Sequence, residues 1–120
     1  DGTVSGTFPV ANIYDSGSSS PDFLTVYDGA LYFAADDGAN GVELWATDGD
    51  SASRVKDIYT GSGSSYPNAG YWIGSVYNCT FIISNDLMFF AAATGGDANL
   101  YVSDGTAEGT GPVTGGACYF

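Results

Sequence analysis

Histidine is absent from this chain, and Arg54 and Lys56 are its only bases. Without an imidazole there is no Ser-His-Asp or Cys-His constellation and no histidine metal site. Fourteen acids give a net charge of −12. Nucleic acid and anionic membrane surfaces are therefore poor partners and neither is expected, because phosphate binding needs Lys and Arg to displace counterions. Long apolar runs are missing too. The stretch Leu87 to Ala93 falls far short of the roughly 20 residues that cross a bilayer, so membrane insertion is not expected. Charged residues make up only 13% of the 120, against 44% hydrophobic and 15% aromatic, which is too apolar for a disordered acidic tail.

What is present favours strands and turns. The chain is rich in aromatic, Val and Ile residues, and its eighteen glycines often follow aspartate. No stretch keeps a 3.6-residue apolar period over an ordinary helix length. An all-β fold is the expectation.

The sequence repeats itself. DGTVSGTFPV (Asp1 to Val10) returns as DGTAEGTGPV (Asp104 to Val113) with seven of ten positions identical, and a damaged copy starts at Asp48-Gly49-Asp50. Between these markers VANIY (Val10 to Tyr14) matches VKDIY (Val55 to Tyr59), and SSSP (Ser18 to Pro21) matches SSYP (Ser64 to Pro67). LYFAA (Leu31 to Ala35) matches MFFAA (Met88 to Ala92), and ELWATDG (Glu43 to Gly49) matches NLYVSDG (Asn99 to Gly105). The single domain, 1–120, thus holds units 1–47 and 48–103, the latter with an insertion at about 75–83, and a partial third unit 104–120.

Each unit reads as four short antiparallel strands. In the first these are Phe8 to Tyr14, Phe23 to Tyr27, Ala30 to Ala35 and Val42 to Thr47. In the second they are Arg54 to Tyr59, Tyr71 to Tyr77, Leu87 to Ala93 and Leu100 to Ser103, with Thr80 to Ser84 as an extra. Thr110 to Thr114 is left as a spare terminal strand. Four strands per unit is the spacing of propeller blades, yet two units fall short of the roughly four that close a ring. The expected architecture is a propeller-like fragment, a self-completing ring or stack, or a sandwich of two sheets.

The segment Leu31 to Gly49, LYFAADDGANGVELWATDG, resembles the ELWxxDGT-type repeats found in tandem in large secreted and surface proteins. The match resumes at Val55, Asp57, Ile58, Ser64, Ser65 and Pro67. The resemblance implies an extracellular β-propeller-like array without agreed catalytic residues. The pattern lapses after Gly49, where Thr and the Gly-Thr pair are missing. It lapses again at Asn99 and Tyr101, which replace Glu and Trp.

Candidate sites are few. Cys79 and Cys118 are an even pair suited to an oxidising compartment, and a bridge between them would stabilise by roughly 3–4 kcal/mol. Asn78-Cys79-Thr80 is an N-glycosylation acceptor. The first residues are polar, unlike a signal peptide, so the chain reads as processed or as a piece of something longer. Asp36, Asp37 and Asn40 have the spacing of a calcium loop's start, although Gly38 and Thr47 stand where such a loop needs ligands. A hairpin turn is the competing reading of those residues, and no other cofactor is implied. The Asp of Asp-Gly-Thr at Asp1 and Asp104 suits a turn bonded to backbone N–H groups. Glu43 and Glu108, the only glutamates, would be the acids of a glycosidase, but a glutamate repeated per unit points to structure. Trp45 and Trp72 are candidate stacking platforms for sugar rings. The expected function is non-enzymatic: an extracellular or cell-surface glycoprotein unit that self-assembles into a fibre or layer as a homo-oligomer or polymer. The alternative is a carbohydrate-binding adhesion module, with calcium as its one candidate cation.

Overall fold

The computed structural model describes residues 1–68 and 81–114. Among them there are eight strands and no helix. Strands β1 (Asp22–Tyr27), β2 (Ala30–Asp36), β3 (Val42–Thr47) and β4 (Ala52–Lys56) form one antiparallel sheet in sequence order. Strands β5 (Ile82–Ser84), β6 (Leu87–Ala93), β7 (Ala98–Ser103) and β8 (Gly111–Pro112) form a second with the same order.

Turn chemistry sets the hairpins. Asp28 and Gly29, both at positive φ, form a two-residue loop between β1 and β2. Asn85 and Asp86 do the same between β5 and β6, at φ 51° and 57°. Two successive positive φ values match the right-handed twist of the flanking strands, which is why Asn, Asp and Gly occupy such loops.

One core joins the sheets. Tyr32 and Leu44 on one face of the first sheet pack with Met88, Phe90, Ala92 and Tyr101 on one face of the second. The alternation is plain along β6, where Met88, Phe90 and Ala92 are buried and their neighbours only half-buried. Ring contacts knit the cluster: Tyr27 meets Tyr32 edge-on at 5.5 Å, and Phe90 lies 5.6 Å from Phe81 and 5.8 Å from Tyr101. Two long-range bonds tie the sheet rims together. The Tyr27 hydroxyl donates to the Asp86 carbonyl at 2.6 Å, and the Lys56 ammonium to the Thr110 carbonyl at 2.5 Å.

The strand assignment differs from the sequence expectation in three ways. Thr80 to Ser84 is no extra strand: its Ile82–Ser84 part is β5 and pairs with β6 as the first strand of the second sheet. Phe8 to Tyr14 forms no strand, and no strand among the described residues pairs with it. The spare strand at Thr110 to Thr114 is not spare: its centre, β8, pairs with β7 as the fourth strand of the second sheet. Each sheet therefore takes its last strand from the start of the following sequence unit. Tyr71 to Tyr77 lies outside the described residues.

Because both sheets are copies, their outer faces are copies of the inner ones. Leu31, Phe33, Ala35 and Trp45 correspond to Met88, Phe90, Ala92 and Tyr101, and point away from the shared core. Likewise Phe89 and Leu100, on the outer face of the second sheet, correspond to the packed Tyr32 and Leu44. Apolar side chains remain exposed at both ends: Leu24 and Val26 (59% and 72%) on the first sheet and Ile82 (56%) on the second. Val26 stands opposite Leu31 and Ile82 opposite Phe89, which places each on its sheet's outer face.

Candidate functional site

The densest polar site is built on Glu43. It sits near the start of β3, is fully buried, and is reached by the chain that follows β4. Its carboxylate accepts backbone N–H groups from Ile58 (3.1 Å), Tyr59 (3.2 Å) and Ser65 (3.2 Å), and the Ser65 hydroxyl at 2.6 Å. Burial pushes the Glu43 carboxyl above its ordinary value, against the opposing pull of these four donors. The group functions as a latch that fixes the crossing between the sheets. Beyond it, Ser65 N–H also bonds Val42 O, Ala93 N–H bonds Ser65 O, and Asn68 exchanges bonds with Ala91. Residues 65–68 thus lace the end of one sheet to the end of the other.

A second device recurs at both connections. The ring of Tyr14 covers Gly17 and Gly38, and that of Tyr59 covers Gly63 and Gly95. All six residues occupy equivalent places in the repeat, and Gly38 and Gly95 lie at φ +80° and +79°. A β-carbon at either glycine would overlap the ring and occupy a strained backbone region. The backbone repeats as well: Asp36 N–H bonds Ser19 O as Ala93 N–H bonds Ser65 O.

The aspartates of the candidate calcium loop are engaged in the turn itself. Asp36 Oδ1 accepts Gly38 N–H at 2.7 Å, and Asp37 Oδ1 accepts the N–H groups of Ala39 and Asn40. Asp37 Oδ2 takes the Asn40 amide at 2.8 Å and lies 3.5 Å from Arg54. Burial raises the Asp37 carboxyl, but the donors of Asn40 and Ala39 and the Arg54 charge outweigh it and hold the group below its usual range. Among the described residues no three acidic, cysteine or histidine side chains gather as a metal-holding group.

The Asp-Gly-Thr segments fold identical turns. Asp104 Oδ1 accepts both N–H and hydroxyl of Thr106, Gly109 N–H bonds Thr106 Oγ1, and Thr110 Oγ1 bonds Thr106 O. Asp1, Thr3, Gly6 and Thr7 repeat every one of these bonds. The Thr106 hydroxyl and N–H hold the Asp104 carboxyl below its usual value, and Asp50 and Ser51 N–H groups do the same for Asp48.

Of the remaining candidates, Trp45 is half-buried on the outer face between Phe33 and Arg54, with its indole Nε1 buried and without a hydrogen-bond partner among the described residues. Glu108 is exposed, whereas Glu43 is sealed from water. Trp72, Asn78, Cys79 and Cys118 lie outside the described residues. The tyrosine caps had a signal in the sequence, since Tyr14/Tyr59 and Gly38/Gly95 align in the repeat, whereas the mainly backbone partners of Glu43 had none. Comparison with protein-family models, with curated proteins and with solved structures gives no match.

Proposed function

We propose that this chain is a non-enzymatic structural unit that assembles with copies of itself, in an extracellular fibre or surface layer. One observation carries the reading: the outer faces of the two sheets are copies of the two faces already packed together in the core, and each carries exposed apolar residues, Leu24 and Val26 on the first and Ile82 on the second. A face of the Leu31–Phe33–Trp45 kind packs against one of the Tyr32–Leu44 kind inside the chain, and the outer copy of each kind has exposed apolar residues beside it, Val26 opposite Leu31 and Ile82 opposite Phe89. A contact of that sort is head-to-tail and leads to rings or open filaments.

The chemistry supports a material over a catalyst. Glu43 is saturated with hydrogen bonds, and the aspartates of the turns are occupied by backbone donors. The resemblance of Leu31 to Gly49 to repeats of secreted proteins supports an extracellular setting, with a glycan on Asn78 and a Cys79–Cys118 bridge as parts of the same proposal. The net charge of −12 opposes association, so salt that screens it favours assembly. Sedimentation across a concentration series, with electron microscopy of the concentrated material, tests the reading. Mass rising with concentration and salt is expected; a monomer at every concentration and salt overturns it.

A further inference from the structure

Residues 1–10 and 104–113 share seven of ten positions and fold the same hydrogen-bonded turn, yet their surroundings differ. After the second turn the chain enters the sheet. Tyr101 pairs with Pro112 and Val102 with Gly111, and Val113 N–H donates to Leu100 O at 2.8 Å. The Thr110 hydroxyl meets Ser103 Oγ at 2.7 Å in the interior. After the first turn, no strand among the described residues pairs with Phe8 to Val10. Val4, Phe8 and Val10 are 97%, 68% and 42% exposed.

We infer that Phe8 to Val10 of one copy is a donor strand for β7 of a second copy, where it takes the place of β8. The inference rests on the self-assembly reading and names its contact. Each chemical requirement of the slot is met in the donor. Thr7 stands where Thr110 supplies a hydroxyl to Ser103 and a carbonyl to Lys56. Pro9 stands where Pro112 needs no N–H, and Val10 where Val113 donates to Leu100 O. Phe8 adds an aromatic side chain where the resident strand has Gly111. The occupant being displaced is short, with two residues in the ladder. Main-chain bonds to a sheet edge then supply the affinity, as in other strand-addition contacts. The stack is continuous with the interface inside the chain, because the donor leads into the first sheet of its own copy as β4 leads into the second sheet within one chain.

Two proline substitutions test it by sedimentation equilibrium of the full chain. Val10→Pro removes the N–H that would bond Leu100 O of the second copy. That residue is exposed and outside every strand, so the thermal midpoint of the monomer stays put. The association constant should drop about tenfold or more, the loss of one main-chain bond and its strand register. Val113→Pro removes the competing N–H of the resident strand and should strengthen association. Assembly of Val10→Pro with the wild-type constant overturns the donor strand while leaving self-assembly intact. A wild-type chain that never associates removes the self-assembly reading itself, and the donor strand with it.

Discussion

The Tyr59 hydroxyl lies 2.5 Å from the position a β-carbon would take on Gly95, so a side chain in this β6–β7 turn has to displace that ring. Gly95→Ala should therefore cost on two counts, a left-handed backbone penalty and an overlap with the ring, for roughly 2–4 kcal/mol together. Gly29 separates them. It lies at φ +76° with nothing near its missing β-carbon, so Gly29→Ala should cost only the backbone part, about 1–2 kcal/mol. Urea unfolding measures both. Equal losses at the two positions would show that the ring contact contributes nothing.

Glu43→Gln replaces an acceptor of four bonds by an amide whose NH₂ faces donors. A loss of about 2–4 kcal/mol is expected from unfolding curves near neutral pH, since the amide NH₂ accepts nothing and leaves buried N–H donors unsatisfied. The loss should depend on pH. Glu43 has its folded pKa raised, so its contribution is full below the unfolded carboxylate value and declines as pH rises through the raised one. The deficit of the Gln variant is then larger in acid than near neutrality. A deficit that grows toward neutral pH contradicts the sign.

The turn aspartates act in the opposite sense. Asp37, Asp48 and Asp104 have lowered pKa values, so their contributions are present above the unfolded carboxylate value and lost as pH falls through the folded ones. Three such groups against one Glu43 predict net acid destabilisation below about pH 4. Asp104→Asn should flatten part of that acid limb while lowering stability near neutrality, because the amide offers a weaker acceptor to Thr106. An acid limb of unchanged slope in Asp104→Asn would remove this turn from the account.

Much of this fold could be read from residue order. β2, β3 and β6 follow from short apolar and aromatic runs bounded by Asp-Gly and related turns, and the repeat placed the second sheet by comparison with the first. The phase of the repeat could not be read, because a four-strand unit cut at any hairpin gives the same sequence period. Phe8 to Tyr14 has strand composition, but a strand also needs a neighbour, and composition does not report one. Asn85-Asp86 makes the same two-residue turn as Asp28-Gly29 without glycine, at positive φ that Asn and Asp tolerate. The Glu43 latch was half legible. The glutamate stands out, but its partners are mainly backbone N–H groups of Ile58, Tyr59 and Ser65, which carry no side-chain signature.

The outer faces provide the sharpest test of head-to-tail assembly. Val26→Asp places a carboxylate on one outer face, and Ile82→Asp places one on the other; both residues are more than half exposed, so the fold should tolerate either. If unlike faces meet, each variant alone lacks one partner of every contact and stays monomeric. Mixing the two restores one intact pair: the unaltered second-sheet face of Val26→Asp and the unaltered first-sheet face of Ile82→Asp. The mixture should therefore give a one-to-one dimer that cannot grow, visible as a discrete mass in light scattering. If like faces meet instead, each variant alone would still dimerise through its unaltered face, and mixing would add nothing. Burying a carboxylate without a partner costs several kcal/mol, enough to separate these outcomes at micromolar concentration.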